Sequence, residues 1–223
     1  MKKTALLGVV LMGAVVLQGS QAFAQESPNP ATTETPVTAT FTTTDDNLNI
    51  VLPNDGSEND HDKNSVSGLL GIAYQPKAFS VSAQLQSSGS QEIPLASGTT
   101  KDKFHVGVKD STRRKHNWTL KASLEWTGAN KACMDGTTIK IAGGVVHKNN
   151  EGVLEATDVV TAVQTATTIG SSQEDLMKSV NTKTINGVYD YGFTSAKLAI
   201  PETKDIPGDT YTGKVHWNLS LAE

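Results

Sequence analysis

The sequence predicts an all-β protein, an antiparallel β-sandwich of many short strands with at most one or two short helices. The first observation is a sustained period of two. Trp118, Leu120, Ala122, Leu124 and Trp126 alternate with Thr119, Lys121, Ser123, Glu125 and Thr127. Tyr211, Gly213, Val215, Trp217, Leu219 and Leu221 alternate likewise with Thr212, Lys214, His216, Asn218 and Ser220. Residues i and i+2 of a strand share a face, so each run presents one apolar and one polar surface, and no helix fits that period. The second observation is punctuation: clusters of Gly, Asn, Asp and Pro separate the alternating runs at short intervals. The third is the single cysteine, Cys133. It allows no intramolecular disulfide, so packing must supply the stability.

The elements follow in chain order. Lys2 and Lys3 precede an apolar run from Ala5 to Leu17, and Ala22-Phe23-Ala24 supplies a small-x-small site. Residues 1–24 therefore read as a secretory signal peptide, too short to span a bilayer. Residues 25–36, with Pro28, Pro30 and Pro36, read as a flexible leader. The domain is expected over 37–223. Its predicted strands carry Val37, Ala39 and Phe41; Leu48, Ile50 and Leu52; Phe79, Val81, Ala83 and Leu85; and Phe104, Val106 and Val108. After the first tryptophan run come Ile139, Ile141, Gly143 and Val145; Val159, Thr161 and Val163; and Ala196, Leu198 and Ile200. One short helix is predicted between strands. Ser171 or Ser172 would cap it, with Glu174 or Asp175 three residues on and Leu176, Met177 and Val180 following.

Charge narrows the partners. Without residues 1–24 the chain keeps 17 basic and 23 acidic residues, a net charge of −6. That disfavours nucleic acid, whose phosphates need a basic surface. The exception is residues 101–121, which hold Lys101, Lys103, Lys109, Arg113, Arg114, Lys115 and Lys121 against Asp102 and Asp110. Arg113-Arg114-Lys115 fall in the turn before the first tryptophan strand. They read either as a solvated hairpin tip or as a contact for the carboxylates or phosphates of an anionic partner.

No chemistry of turnover is predicted. The five histidines show no zinc spacing, no G-x-S-x-G elbow precedes a helix, and Cys133 lacks a catalytic setting. No catalytic residue, metal ligand or cofactor is assigned. Asp55, Ser57 and Asn59 loosely echo a calcium loop, but its glycine is misplaced and its closing acid is missing. The stretch from Pro53 to Asn64 reads instead as a solvated loop.

The two tripeptides Trp118-Thr119-Leu120 and Trp217-Asn218-Leu219 carry a family resemblance. With the lead-in Tyr211-Thr212-Gly213-Lys214-Val215-His216 and the upstream Val106-Gly107-Val108-Lys109-Asp110, the chain resembles the WxL domain of Gram-positive surface proteins. The resemblance implies an exported protein attached non-covalently to the cell wall, with peptidoglycan or an associated wall polymer as partner. It also implies companions among other WxL proteins and membrane-anchored surface proteins, with no membrane span of its own after signal cleavage. Trp118, Leu120, Trp217 and Leu219 mark the expected binding region, together with Arg113, Arg114 and Lys115. For the tryptophans two readings stand open: core residues on the apolar register, or indoles that stack on sugar rings. An adhesin that binds host matrix or an external polysaccharide is the alternative function.

Overall fold

The computed structural model describes residues 35–40 and 48–222. The expected signal peptide, most of the leader and Phe41 lie outside them. The chain divides into two units, Met1–Thr42 and Thr43–Glu223. Of the first, residues 35–40 are exposed and without regular structure, so Val37 and Ala39 form no strand. All that follows concerns the second unit.

Fourteen strands build three antiparallel sheets among the described residues. The first sheet has six: β1 (His61–Lys63), β2 (Leu70–Pro76), β4 (Phe104–Asp110), β12 (Gly187–Phe193), β7 (Val145–Asn150) and β8 (Val153–Glu155), in that order. The second runs β10 (Ala166–Ile169), β6 (Thr138–Ala142), β13 (Ser195–Ile200) and β3 (Gln91–Pro94). The third runs β14 (Thr212–Ala222), β5 (Asn117–Thr127), β11 (Glu174–Ser179) and β9 (Val160–Ala162). Two short 3₁₀ turns, Glu58–Asp60 and Lys131–Met134, are the only helical pieces among the described residues.

One core joins the sheets. Phe104, Val106, Val108, Tyr189, Tyr191 and Phe193 of the six-stranded sheet meet Ile139, Ile141, Leu198 and Ile200 of the second sheet and Trp118, Leu120, Leu176 and Met177 of the third. Phe104 and Phe193 stack with ring centroids 5.1 Å apart. The opposite face of the six-stranded sheet is also covered. Ile50 and Leu52 pack there against Tyr74 and Val188. The predicted strand at Leu48, Ile50 and Leu52 is thus an irregular strap that finds no strand edge to pair with.

Several other expectations need correction. The helix after Ser171 is instead β11, paired with β5 on one side and β9 on the other. A bulge between Asp175 and Met177 turns the consecutive Leu176 and Met177 both into the core, which imitates a helical pattern. Phe79 to Leu85 forms no strand beyond a bridge of Ser80 to Ala96, because no neighbouring strand runs beside it. The run through Val145 breaks at Gly143, whose φ of 75° suits glycine. The chain passes there from the second sheet to the first. A Cβ on Gly144 would stand 2.2 Å from the Tyr191 hydroxyl, so that crossing also demands a residue without one. In β9 the buried residue is Val160, one position out of the expected register.

Candidate functional site

The two tryptophan strands are neighbours. β14 pairs with β5 over its whole length, Trp217 opposite Ala122, Leu219 opposite Leu120 and Leu221 opposite Trp118. Directly opposed residues share a face, so both indoles of the motifs point to the same inner side of one sheet. Their exposures differ. Trp118 and Leu120 are completely buried, whereas Trp217 and Leu219 are half-buried. β5 lies inside the sheet and β14 at its margin.

At the Trp118 end, the indole N–H donates to Asp110 Oδ2 over 2.8 Å. His116 Nε2 meets the same oxygen at 2.7 Å, while Asp110 Oδ1 accepts from the Thr112 amide (3.0 Å) and hydroxyl (2.7 Å). A fully buried carboxylate thus has all its partners, as burial requires. Ser179 of β11 ties the next link, accepting from the Trp118 amide and donating to the His116 carbonyl. These bonds hold the turn that displays Arg113, Arg114 and Lys115, all three exposed. Arg113 takes a φ of 55° there.

The other end of β5 opens into a groove of about 1210 Å³. Leu124 and Trp126 of β5 with Val215 and Trp217 of β14 form one wall; Phe79, Val81, Ala83 and Leu85 line it as well. Ile93, Ile139, Leu198 and Ile200 of the second sheet contribute apolar surface, with Leu95 just after β3. Asn64, Gln75, Lys77, Gln84, Asp209, Lys214 and His216 add polar groups. Trp126 is fixed by its indole N–H, which donates to the Thr137 carbonyl at 3.2 Å. The Trp217 indole N–H has no hydrogen-bond partner among the described residues. Tyr211 enters from the loop before β14, its hydroxyl donating to the Pro207 carbonyl at 2.8 Å.

The predicted residues therefore form two groups. Trp118 and Trp126 are eight positions apart on one strand, about 27 Å at strand rise. Arg113, Arg114 and Lys115 belong to the first end and Trp217 to the groove. Trp126 and Tyr211 were not among the predicted binding residues. Their signal was present: both stand on the apolar registers that carry the W-x-L pairs, at the end remote from Trp118.

A second polar assembly was not foreseen at all. Asp190, buried in the centre of β12, accepts from the Tyr74 hydroxyl at 3.0 Å and contacts His105 Nδ1 at 3.0 Å. His105 Nε2 reaches Asp55 Oδ2, also at 3.0 Å, and the His105 amide donates to His61 Nε2 at 2.9 Å. His61 Nδ1 lies 2.8 Å from the Ser57 carbonyl. Since a carbonyl only accepts, His61 carries its proton on Nδ1 and is neutral. Burial accordingly lowers its pKa. For His105 burial acts in the same direction, but the hydrogen bonds and charges of Asp190 and then Asp55 outweigh it and raise its pKa. The stretch from Pro53 to Asn64 is therefore no free solvated loop: Ser57, Asp60 and His61 are buried.

No described helix is long and apolar enough to cross a membrane. Comparison with curated proteins and with solved structures gives no match. A family model does match, described as WxL domain surface cell wall-binding, and it covers residues 26–222. The paired W-x-L strands and the extent of that match show that the chain belongs to the WxL family of surface cell-wall-binding domains.

Proposed function

We propose that this chain is an exported, non-catalytic surface protein that holds peptidoglycan through the groove between Trp126, Trp217 and the Phe79–Leu85 segment. The observation that carries the reading is the pair of half-buried indoles on one wall of an open groove in a cell-wall-binding domain. Sugar rings offer apolar C–H faces to aromatic planes and hydroxyls to polar side chains. The groove supplies both, with Gln75, Gln84, Asp209 and Lys214 beside the aromatic groups. An indole N–H with no internal partner adds a donor for a sugar oxygen. Attachment of this kind is reversible and needs neither cofactor nor turnover.

The exposed Arg113, Arg114 and Lys115 supply a second contact for anionic wall polymer, at the far end of β5. Trp118 serves it from beneath by fixing the turn. Export through the signal peptide at residues 1–24 and residence in the wall of a Gram-positive cell belong to the same reading, as does company with other WxL or membrane-anchored proteins.

Co-sedimentation of the protein with purified peptidoglycan, with and without teichoic acid, tests it. Binding to stripped peptidoglycan is expected, and Trp217→Ala should weaken it while the fold persists. A protein that stays in the supernatant with both preparations would refute the reading.

A further inference from the structure

Six strands lie at the margins of the three sheets: β1, β8, β10, β3, β9 and β14. Five of them are three or four residues long, and β3 also carries Pro94. Short length and proline are the usual means of blunting an edge whose unpaired N–H and C=O groups would otherwise recruit another strand. β14 has neither. It runs 11 residues without proline, and its ladder with β5 has no bulge to twist it away. Its outer backbone edge has no strand partner among the described residues. Along the same strand Val215, Trp217 and Leu219 are half-buried and Leu221 is 62 % exposed, an apolar row covered on one side only.

We propose that β14 pairs antiparallel with β14 of a second copy, joining two third sheets into one continuous eight-stranded sheet. The backbone decides the class of partner: alternating donors and acceptors along an extended edge are matched by another strand, not by a sugar chain. The side chains select the second copy. A two-fold axis through Trp217 sets Val215 against Leu219 and Gly213 against Leu221 on the inner face. On the outer face it sets His216 against Asn218 and Lys214 against Ser220. Apolar residues meet apolar or small ones, polar meet polar, and no like charges oppose each other. In an acidic chain, these 11 residues include no acid and a single lysine. An isologous contact of this kind closes on itself and leaves no further edge of the same kind exposed.

Gly213 to Trp217 of β14 also line the groove, so the contact is tested on the protein alone, without wall polymer, and its outcome is read apart from wall binding. Sedimentation of the protein from low-micromolar to near-millimolar concentration tests it, with amide hydrogen exchange read on β14. The expected result is a mass that doubles with concentration while the β14 amides slow. Ser220→Lys sets a like charge against Lys214 of the second copy and should weaken the dimer at least about tenfold. Ser220→Glu sets an opposite charge there and should preserve or tighten it. A monomer at every concentration would overturn the proposal. So would a dimer that treats both substitutions alike, or one whose β14 amides gain no protection, since either places the contact elsewhere.

Discussion

Trp118 donates its indole N–H to Asp110, and both groups are wholly buried. The motif tryptophan is thereby joined to the last residue of the neighbouring sheet's central strand β4, and the turn between them is held at both ends. Its large apolar surface fills the core while its one polar atom is matched, which is the condition for burying an indole.

Trp118→Phe keeps most of the apolar volume and deletes the donor. Losing a bond to a buried carboxylate costs roughly 1–3 kcal/mol. A urea titration should show that decrease with an unchanged slope. The amides of Thr112 and Arg114 should exchange faster, because Asp110 then relies on Thr112 and His116 alone.

At the groove, Trp126→Ala and Trp217→Ala each remove an aromatic wall. Each should weaken peptidoglycan binding by about tenfold or more, equivalent to about 1.4 kcal/mol. Trp217→Ala should disturb stability less, since Trp217 lies on a marginal strand and Trp126 is tied to Thr137. Isothermal binding to soluble wall fragments separates the two effects.

Replacing Arg113, Arg114 and Lys115 with glutamine should leave binding to stripped peptidoglycan intact. Retention on walls that carry teichoic acid should fall, and the residual binding should lose salt dependence, because exposed charges act through a screened field. Equal loss on both preparations would place the basic turn in the glycan contact itself.

Acidity should affect stability through the two histidines in opposite directions. His105 has a raised pKa in the fold, so its contribution is complete below the ordinary histidine value of 6.5 and is lost as pH rises through the raised value. His61 has a lowered pKa, so its contribution is complete above 6.5 and is lost as pH falls through the lowered value. Their joint contribution therefore peaks near the ordinary histidine pKa. His105→Gln should abolish the decline on the alkaline side, measured by thermal unfolding between weakly acidic and weakly basic buffers.

Glu151 and Gly152 form the two-residue connection between β7 and β8, with φ of 51° and 93°. Such a hairpin favours asparagine before glycine. Glu151→Asn should stabilise the protein by about 0.5 kcal/mol, since asparagine tolerates positive φ better than glutamate.

What could be read in advance follows from burial on one face or two. β5 and β14 have one polar and one apolar face, and their alternation announced them. β12 is buried on both faces, and its Gly187-Val-Tyr-Asp190-Tyr-Gly-Phe193 order mimics a turn, because Asp190 finds Tyr74 and His105 inside the protein. β2 was hidden by its bulge between Ile72 and Tyr74, where the Tyr74 ring lies over Gly107. The basic turn was visible as charge, but its support rests on the side-chain bonds of a buried Asp110 to Thr112, His116 and Trp118, which alternation does not reveal. The groove depends on where β5 ends relative to Phe79–Leu85, a long-range relation no local pattern contains.

The strap of residues 48–60 has a dynamic consequence. It covers Tyr74 and Val188 with two apolar side chains and is held mostly by polar links: Asp55 to His105, and Asp60 to Thr99 and Thr100. Few apolar contacts mean a small local opening energy, so this segment should detach as a unit well before the sandwich unfolds. Such an opening would leave the groove and the tryptophan strands on the other side of the sheet assembled.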